Sequence, residues 1–416
     1  MNEEYRIAKE KYASIGVDTE AAIKRVSEIP VSIHCWQGDD VRGFEEPDGK
    51  LTGGIQTTGH FPGRAKNIDQ LREDIEMVFS LVPGKKRLNL HAIYLDNGGK
   101  KVERNKIEPK HFASWVEWAK ENKVGLDFNP TCFSSPMVKD GLTLSSPDKA
   151  VRDYWIEHCI ASRKIAEYFG KELGTPAVTN LWVPDGFKDN PVNRYEARQR
   201  LISAMDEIYS VKIDKKYNLD SAEGKLFGIG VESCTVGQHE IYLAYALTRG
   251  IMVTLDSGHY HPTEVISDKI SSILSFVPEI LLHVSRPVRW DSDHVIILDD
   301  ELKAIGAEIL RNNFENRVHI GLDYFDASIN RIAAWTVGAR NIKKSLLLAA
   351  LEPTKKLTKL EREGDYTSRL ELTEEYKTYP FGAVWDEFCA RNKVPVGEKW
   401  IAKVKKYTKD VLSDRD

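Results

Sequence analysis

Cysteine is scarce. Five occur in 416 residues, Cys35, Cys132, Cys159, Cys234 and Cys389, and no two stand in CxxC spacing. This argues against a disulfide framework or a thiolate zinc site and for reduced thiols in the cytoplasm. Long apolar runs are missing too: the longest, such as Leu346–Leu351, fall far short of a bilayer span. Neither sign of charge dominates, since 59 Lys and Arg against 63 Asp and Glu leave a net charge of −4. Nothing there suggests nucleic acid or an acidic membrane as partner. The two common phosphate loops are absent: no GxGxxG follows an early strand and no Walker-type GxxxxGK occurs. The opening MNEEYRIAKEKYASIGV is polar and carries acids early, unlike a secretory signal or a transit peptide.

What remains is a globular composition, 41% hydrophobic and 29% charged. The length suits one large barrel with extensions better than one ordinary domain. The organising stretch is Ile251–Asp293. Two apolar runs, Ile251–Leu255 and Ile280–Leu282, look like buried parallel strands. Past the first come Asp256, His259 and His261; past the second come His283, Asp291 and Asp293. Strand, polar tip, helix, strand, polar tip is the layout by which an α/β barrel builds an active site.

The same alternation runs along the chain. Residues 3–29 read as two helices, broken at Gly16 with Asp18 or Thr19 as the next cap. Strands are expected at 31–36, 87–94, 124–128, 177–181, 251–255, 280–282 and 318–322. Helices are expected at 71–81, 109–122, 148–173, 193–212, 237–249, 262–276, 299–312 and 328–351. Residues 217–234 are ambiguous, because LDSAEGKLFGIGVES offers two acid-bearing strand ends, Glu223 and Glu232. Pattern alone leans to Glu232, since LFGIGV is the more apolar run. The count predicts a (β/α)8 TIM barrel over residues 1–351, with N-terminal helices. Residues 352–416 form a helical extension that carries Trp385, Phe388 and Trp400. Those rings should pack on the barrel or on a neighbouring subunit. The long loop around 53–64 is of a length usually kept for a lid or a subunit contact.

Carboxylates and imidazoles without thiolates suit Mn, Mg, Co or Zn. Asp291 and Asp293 alternate, so an extended backbone would point both one way. Asp323 ends the last strand, and the available ligands suffice for two ions. His261 precedes Pro262 and more simply shapes the helix start. His34 and His91 are open between core and site, and Trp182 between packing and substrate wall. His111, His158, His239, His294 and His319 read as structural or exposed, Cys35 and Cys234 as inert thiols.

Several long segments then match a known family. GVESCTVGQHE, LDSGHYHPTEVISDKISSIL, LLHVSRPVRWDSDHVIILDDEL, HIGLDYFDASINRIAAWTVGARN, GGIQTTGHFPGRAKN and LWVPDGFKD resemble bacterial L-rhamnose isomerase over nearly the whole chain. The resemblance implies a (β/α)8 aldose–ketose isomerase of rhamnose catabolism. It also implies a homotetramer in the cytoplasm with two divalent ions per subunit, Mn2+ favoured. It places Glu223, Asp256, His283 and Asp323 around a structural ion, and so prefers Glu223 over Glu232. It places His259, Asp291 and Asp293, with sugar oxygens, around a catalytic ion. Lys225, Asp323 and His91 are then the expected catalytic groups, and Trp182, His259 and Asp291 the expected substrate contacts. Phe61 or Phe133 would suit the sugar's methyl group, and the expected chemistry is a metal-assisted hydride shift between C1 and C2. The rival readings are another metal-dependent barrel enzyme, or a sugar-binding barrel without chemistry. The last is disfavoured because buried carboxylates are costly without an ion.

Overall fold

In the computed structural model, residues 3–45, 57–226 and 233–415 are described. Eight parallel strands form one sheet: β1 Val31–His34, β2 Lys86–His91, β3 Gly125–Asn129, β4 Ala177–Trp182, β5 Asn218–Glu223, β6 Met252–Asp256, β7 Ile280–Val284 and β8 Val318–Leu322. Their order is β3-β2-β1-β8-β7-β6-β5-β4, so neighbours in sequence are neighbours in space. First and last strands pair directly, Val31 with Ile320 and Ser32 with Gly321. A helix follows every strand, as expected of a (β/α)8 barrel.

The ring closes between β3 and β4 by side chains rather than by a backbone ladder. Val178 N–H donates to Asp127 Oδ1 at 2.9 Å, and Asn180 N–H to Asn129 Oδ1 at 3.2 Å. Asp127 is itself held by Arg87, with Nη2 at 2.8 Å, and by Ser32 Oγ at 2.6 Å. Near the starts of four neighbouring strands, Val178, Leu219, Met252 and Leu281 form a small apolar cluster.

β6 and β7 form as their apolar runs demand, buried at every position. β5 reads NLDSAE and does not look like a core strand. It is one because Ser221 and Glu223, both buried, face a polar barrel interior. The helix expected from Pro262 begins only at Ser267; His261 Nδ1 meets Thr263 Oγ1 at 2.7 Å in a preceding turn. The first strand stops at His34, and Cys35–Gln37 form a single 3-10 turn.

The N-terminal helices Glu3–Ala13 and Thr19–Glu28 meet at the expected break, with Asp18 accepting from Glu20 N and Ala21 N. They pack near the late helix Phe381–Arg391. Val384, Trp385, Phe388 and Cys389 of that helix join the main hydrophobic core. Near the C-terminus, Arg415 Nη1 reaches Asp74 Oδ2 at 2.7 Å on the helix that follows β1. No helix among the described residues is long and apolar enough to cross a membrane.

Two outcomes follow from the lower half of the barrel. Asp127→Ala strands the Arg87 guanidinium and frees the Val178 N–H, so it should cost about 3–5 kcal/mol in urea unfolding. Lys343 is fully buried, its ammonium donating to Ile29 O. Burial, then the charge of nearby Lys86, pushes it from 10.5 down to about 7. Between about pH 7 and 10.5 the unfolded chain holds a proton that the folded chain has released, so this lysine makes stability rise with pH there. Comparing Lys343→Met with wild type, the difference should shift toward wild type by up to about 1.4 kcal/mol per pH unit in that window. A difference that stays flat with pH would contradict the assignment.

Candidate metal and active site

All ten residues singled out in the sequence stand at or just beyond the C-terminal ends of strands. Glu223 ends β5, with Lys225 two residues on; Asp256 ends β6, and His259 follows in the turn. His283 lies in β7, Asp291 and Asp293 in the loop after it, and Asp323 directly after β8. His91 ends β2 and Trp182 ends β4.

Four of them converge. Glu223, Asp256, His283 and Asp323 each bring one ligand atom into a group whose members all lie within 4.8 Å of one another. His283 Nδ1 is 3.3 Å from Glu223 Oε2, 3.4 Å from Asp323 Oδ2 and 3.9 Å from Asp256 Oδ2. Glu223 Oε1, Asp256 Oδ2 and both His283 ring nitrogens are buried without a hydrogen-bond partner. Buried polar atoms of this kind are costly unless something else satisfies them. A divalent cation held by three carboxylates and an imidazole would satisfy all four groups at once, so the donor set fits an ion.

The titration behaviour shows the same crowding. Burial raises Asp256 to about 8, with Glu223, Asp323 and Asp291 adding repulsion against the pull of His259. Burial alone would lower His283, but Glu223 and Asp323 win and hold it well above the usual imidazole range. Burial likewise opposes ionisation of Glu223, yet His283 and His259 carry it well below the usual carboxylate range. Protons here stand in for positive charge that three acids in one small space require.

The second set gathers differently. His259 Nε2 is 3.3 Å from Asp291 Oδ2, and His259 Nδ1 is 3.0 Å from Glu223 Oε1. Lys225 Nζ donates to Asp291 Oδ2. The pair is buried, and Asp291 Oδ1 is left without a partner. Burial disfavours both charges, but Asp291 keeps Lys225 above its ordinary value, and Lys225 with His259 keeps Asp291 far below its own. Asp293 is half-buried in a left-handed turn at φ 45°, its carbonyl accepting from Phe325 N. Burial and the charges of Asp291 and Asp323 push it well up. Among the described residues, only the Glu223 group has its ligand atoms already drawn together.

Aromatic rings form one wall. Trp36 meets His91 at 4.8 Å between centroids, His91 meets Phe133 at 5.7 Å, and Phe133 meets Trp182 at 5.6 Å. Trp182 stacks beside His259 at 6.3 Å and lies under Lys225 Nζ at 5.5 Å. Burial lowers His91 to about 4, so its ring is neutral; Nδ1 meets Thr131 Oγ1 at 3.1 Å. Phe61 is placed by its backbone, its N–H donating to Ala327 O at 2.8 Å and its carbonyl accepting from Arg331. Residues 53–56 of its loop and the alternative acid Glu232 lie outside the described residues.

The histidines read as structural or open in the sequence have partners of their own. His34 bonds Tyr324 O, His158 accepts from Thr131 N at 2.9 Å, and His111 accepts from Glu108 N at 3.0 Å. His319 pairs with Glu279, and His294 meets Ser292 Oγ at 2.9 Å. His239 does more than the sequence suggested: it stacks on Tyr260 at 3.8 Å and bonds the His259 carbonyl at 2.8 Å. The supports Asn180, Ser285 and Trp36 were also unmarked in the sequence. Asn180 Nδ2 donates to Glu223 Oε2, and Ser285 Oγ donates to Asp256 Oδ1 at 3.3 Å. All five cysteines are free and buried.

A parallel (β/α)8 barrel with a buried carboxylate–imidazole cluster at its strand ends is a barrel with a candidate metal site. Comparison with known proteins narrows this. The family model for L-rhamnose isomerase (RhaA) matches residues 1–415. L-rhamnose isomerases of Yersinia pseudotuberculosis serotype O:1b (strain IP 31758) and Yersinia pestis (strain Pestoides F) are each 58% identical over 415 residues. Both alignments cover 100% of this chain and 99% of the relative. A solved L-ribulose 3-epimerase superposes with a TM-score of 0.51 at 12% identity, over 81% of this chain and 97% of that one, a likeness of fold. The chain belongs to the L-rhamnose isomerase family and is an aldose–ketose isomerase.

An ion that binds the folded cluster but not the unfolded chain must stabilise the fold. Adding Mn2+ to chelator-stripped protein should therefore raise its melting temperature. Asp256→Asn should cut that rise; an equal rise in the variant would place the ion elsewhere.

Proposed function

We propose that the chain interconverts L-rhamnose and L-rhamnulose, the substrate that its relatives' names give. The observation carrying the reading is the cluster of Glu223, Asp256, His283 and Asp323 beside a wall of rings. Those four would hold one divalent ion. His259, Asp291 and Asp293, with oxygens of the sugar, would hold a second. Hard oxygen and imidazole donors without thiolate fit Mn2+, and equally Co2+, Mg2+ or Zn2+. When bound, the ions supply Lewis-acid polarisation of adjacent sugar oxygens.

The chain's own groups do the rest. Phe133 and Trp182 offer an apolar surface for the sugar's methyl group, and the buried Trp182 Nε1, without a partner, offers a donor. Neutral His91 packs between Trp36 and Phe133 and orients the open-chain sugar. Lys225, ion-paired with Asp291, is a fixed positive charge near the reacting carbons rather than a base. The hydrogen on C2 then passes to C1 as a hydride, and the C2 hydroxyl proton passes to the C1 oxygen. Asp323 would relay that proton through a water. The rings exclude bulk water from the path. The working form is proposed as a cytoplasmic homotetramer, with residues 352–416 as a helical extension of the 1–351 barrel domain.

The test is ketose formation from L-rhamnose by chelator-stripped protein. Activity should return with Mn2+ in the wild type and fail to return in Asp291→Asn. Lys225→Met should lower kcat by about 10²–10³-fold, the loss typical of removing one preorganised electrostatic group. Run in deuterated water, the product should carry little solvent deuterium on carbon. Complete exchange of the migrating hydrogen would rule out the direct shift.

A further inference from the structure

The cluster's carboxylates do not present both oxygens alike. Asp256 Oδ1 is tied by Gly258 N–H at 2.6 Å and by Ser285 Oγ at 3.3 Å, while Oδ2 has no partner and faces His283. Asp323 is built the same way. Its Oδ1 accepts the indole N–H of Trp36 at 3.0 Å, while Oδ2 lies 3.4 Å from His283 Nδ1. A free carboxylate just past a strand end can swing, or can chelate through both oxygens. A buried donor on one oxygen removes both freedoms.

Trp36 is itself well fixed. It is 3% exposed, too enclosed to change rotamer without moving its neighbours. Its ring meets His34 at 5.2 Å and His91 at 4.8 Å, edge to face. The residue after it, Gln37, bonds both polar groups of the Asp326 backbone, each at 2.8 Å. The 3-10 turn after β1 is thus a template onto which the segment after β8 is laid.

We infer that Trp36 is a positioning residue: its indole N–H fixes Asp323 so that Oδ2 alone is turned toward the metal cluster. The inference rests on the metal-binding reading of Glu223, Asp256, His283 and Asp323. It adds a residue that touches no ion, and it ties the substrate wall to a ligand, since the ring that holds Asp323 also supports His91.

The test measures Mn2+ binding by calorimetry to chelator-stripped protein, following the site that Asp256→Asn removes. Trp36→Phe keeps an aromatic ring against His91 and deletes the N–H. It should weaken Mn2+ binding at that site by about 10- to 100-fold, as loss of a group orienting a ligand does. At saturating Mn2+ its kcat should fall while KM for the sugar holds. Trp335→Phe is the control. It deletes another buried indole bond nearby, Nε1 to His34 O at 2.8 Å, and should leave Mn2+ affinity unchanged. Should Trp36→Phe fail to fold, replacement of Trp36 by benzothienylalanine removes only the N–H. Wild-type affinity in a folded Trp36 variant overturns the inference, as does an equal loss in Trp335→Phe. No Mn2+ binding by the wild type overturns the metal reading itself.

Discussion

Three carboxylates and an imidazole are forced together at Glu223, Asp256, His283 and Asp323, and the rest of the molecule arranges itself around that constraint. In so small and dry a space the acids repel strongly, and each wants either a proton or a cation. The cost of holding them there is met by packing elsewhere. Val178, Leu219, Met252 and Leu281 pack as an apolar cluster near the strand starts, and eight strands fix the spacing at the other end. Rings from Trp36 to Trp182 line one side of the site.

Around the cluster, each carboxylate has a partner that settles its direction: Asn180 for Glu223, Gly258 and Ser285 for Asp256, Trp36 for Asp323. These come from four different strands or their ends. The isomerase site is therefore a property of the whole ring and not of the stretch from 251 to 293 that contributes many of its titratable groups. His239 extends the same logic outward, bracing the His259 backbone through a stacked pair with Tyr260.

Much of the fold was legible because buried parallel strands leave continuous apolar runs, as Met252–Asp256 and Ile280–Val284 do. β5 was not, and for a physical reason: its inward positions carry Ser221 and Glu223, so the strand most committed to the site looks least like a core strand. Periodicity pointed toward Glu232, and the family resemblance to Glu223, which the structure brings into the cluster. The side-chain seam at Asp127 and Asn129 left no trace in the pattern, because a polar residue within an apolar strand reads as noise until its partner is known. Trp36 was hidden likewise, read as strand when it belongs to the turn beyond. The start of the helix before β7 was misplaced because Pro262 suits a first helical turn, whereas here it sits in a separate turn before Ser267.

The pairing of Trp36 with Asp323 spans nearly three hundred positions of chain, and β1 pairs with β8. On a growing polypeptide, Glu223, Asp256 and His283 are made well before Asp323, while Trp36 has waited since the start. The ligand set reaches its full count only when the last strand docks on the first. A truncated or stalled chain would therefore present an incomplete donor set, and only the finished barrel brings all four groups together.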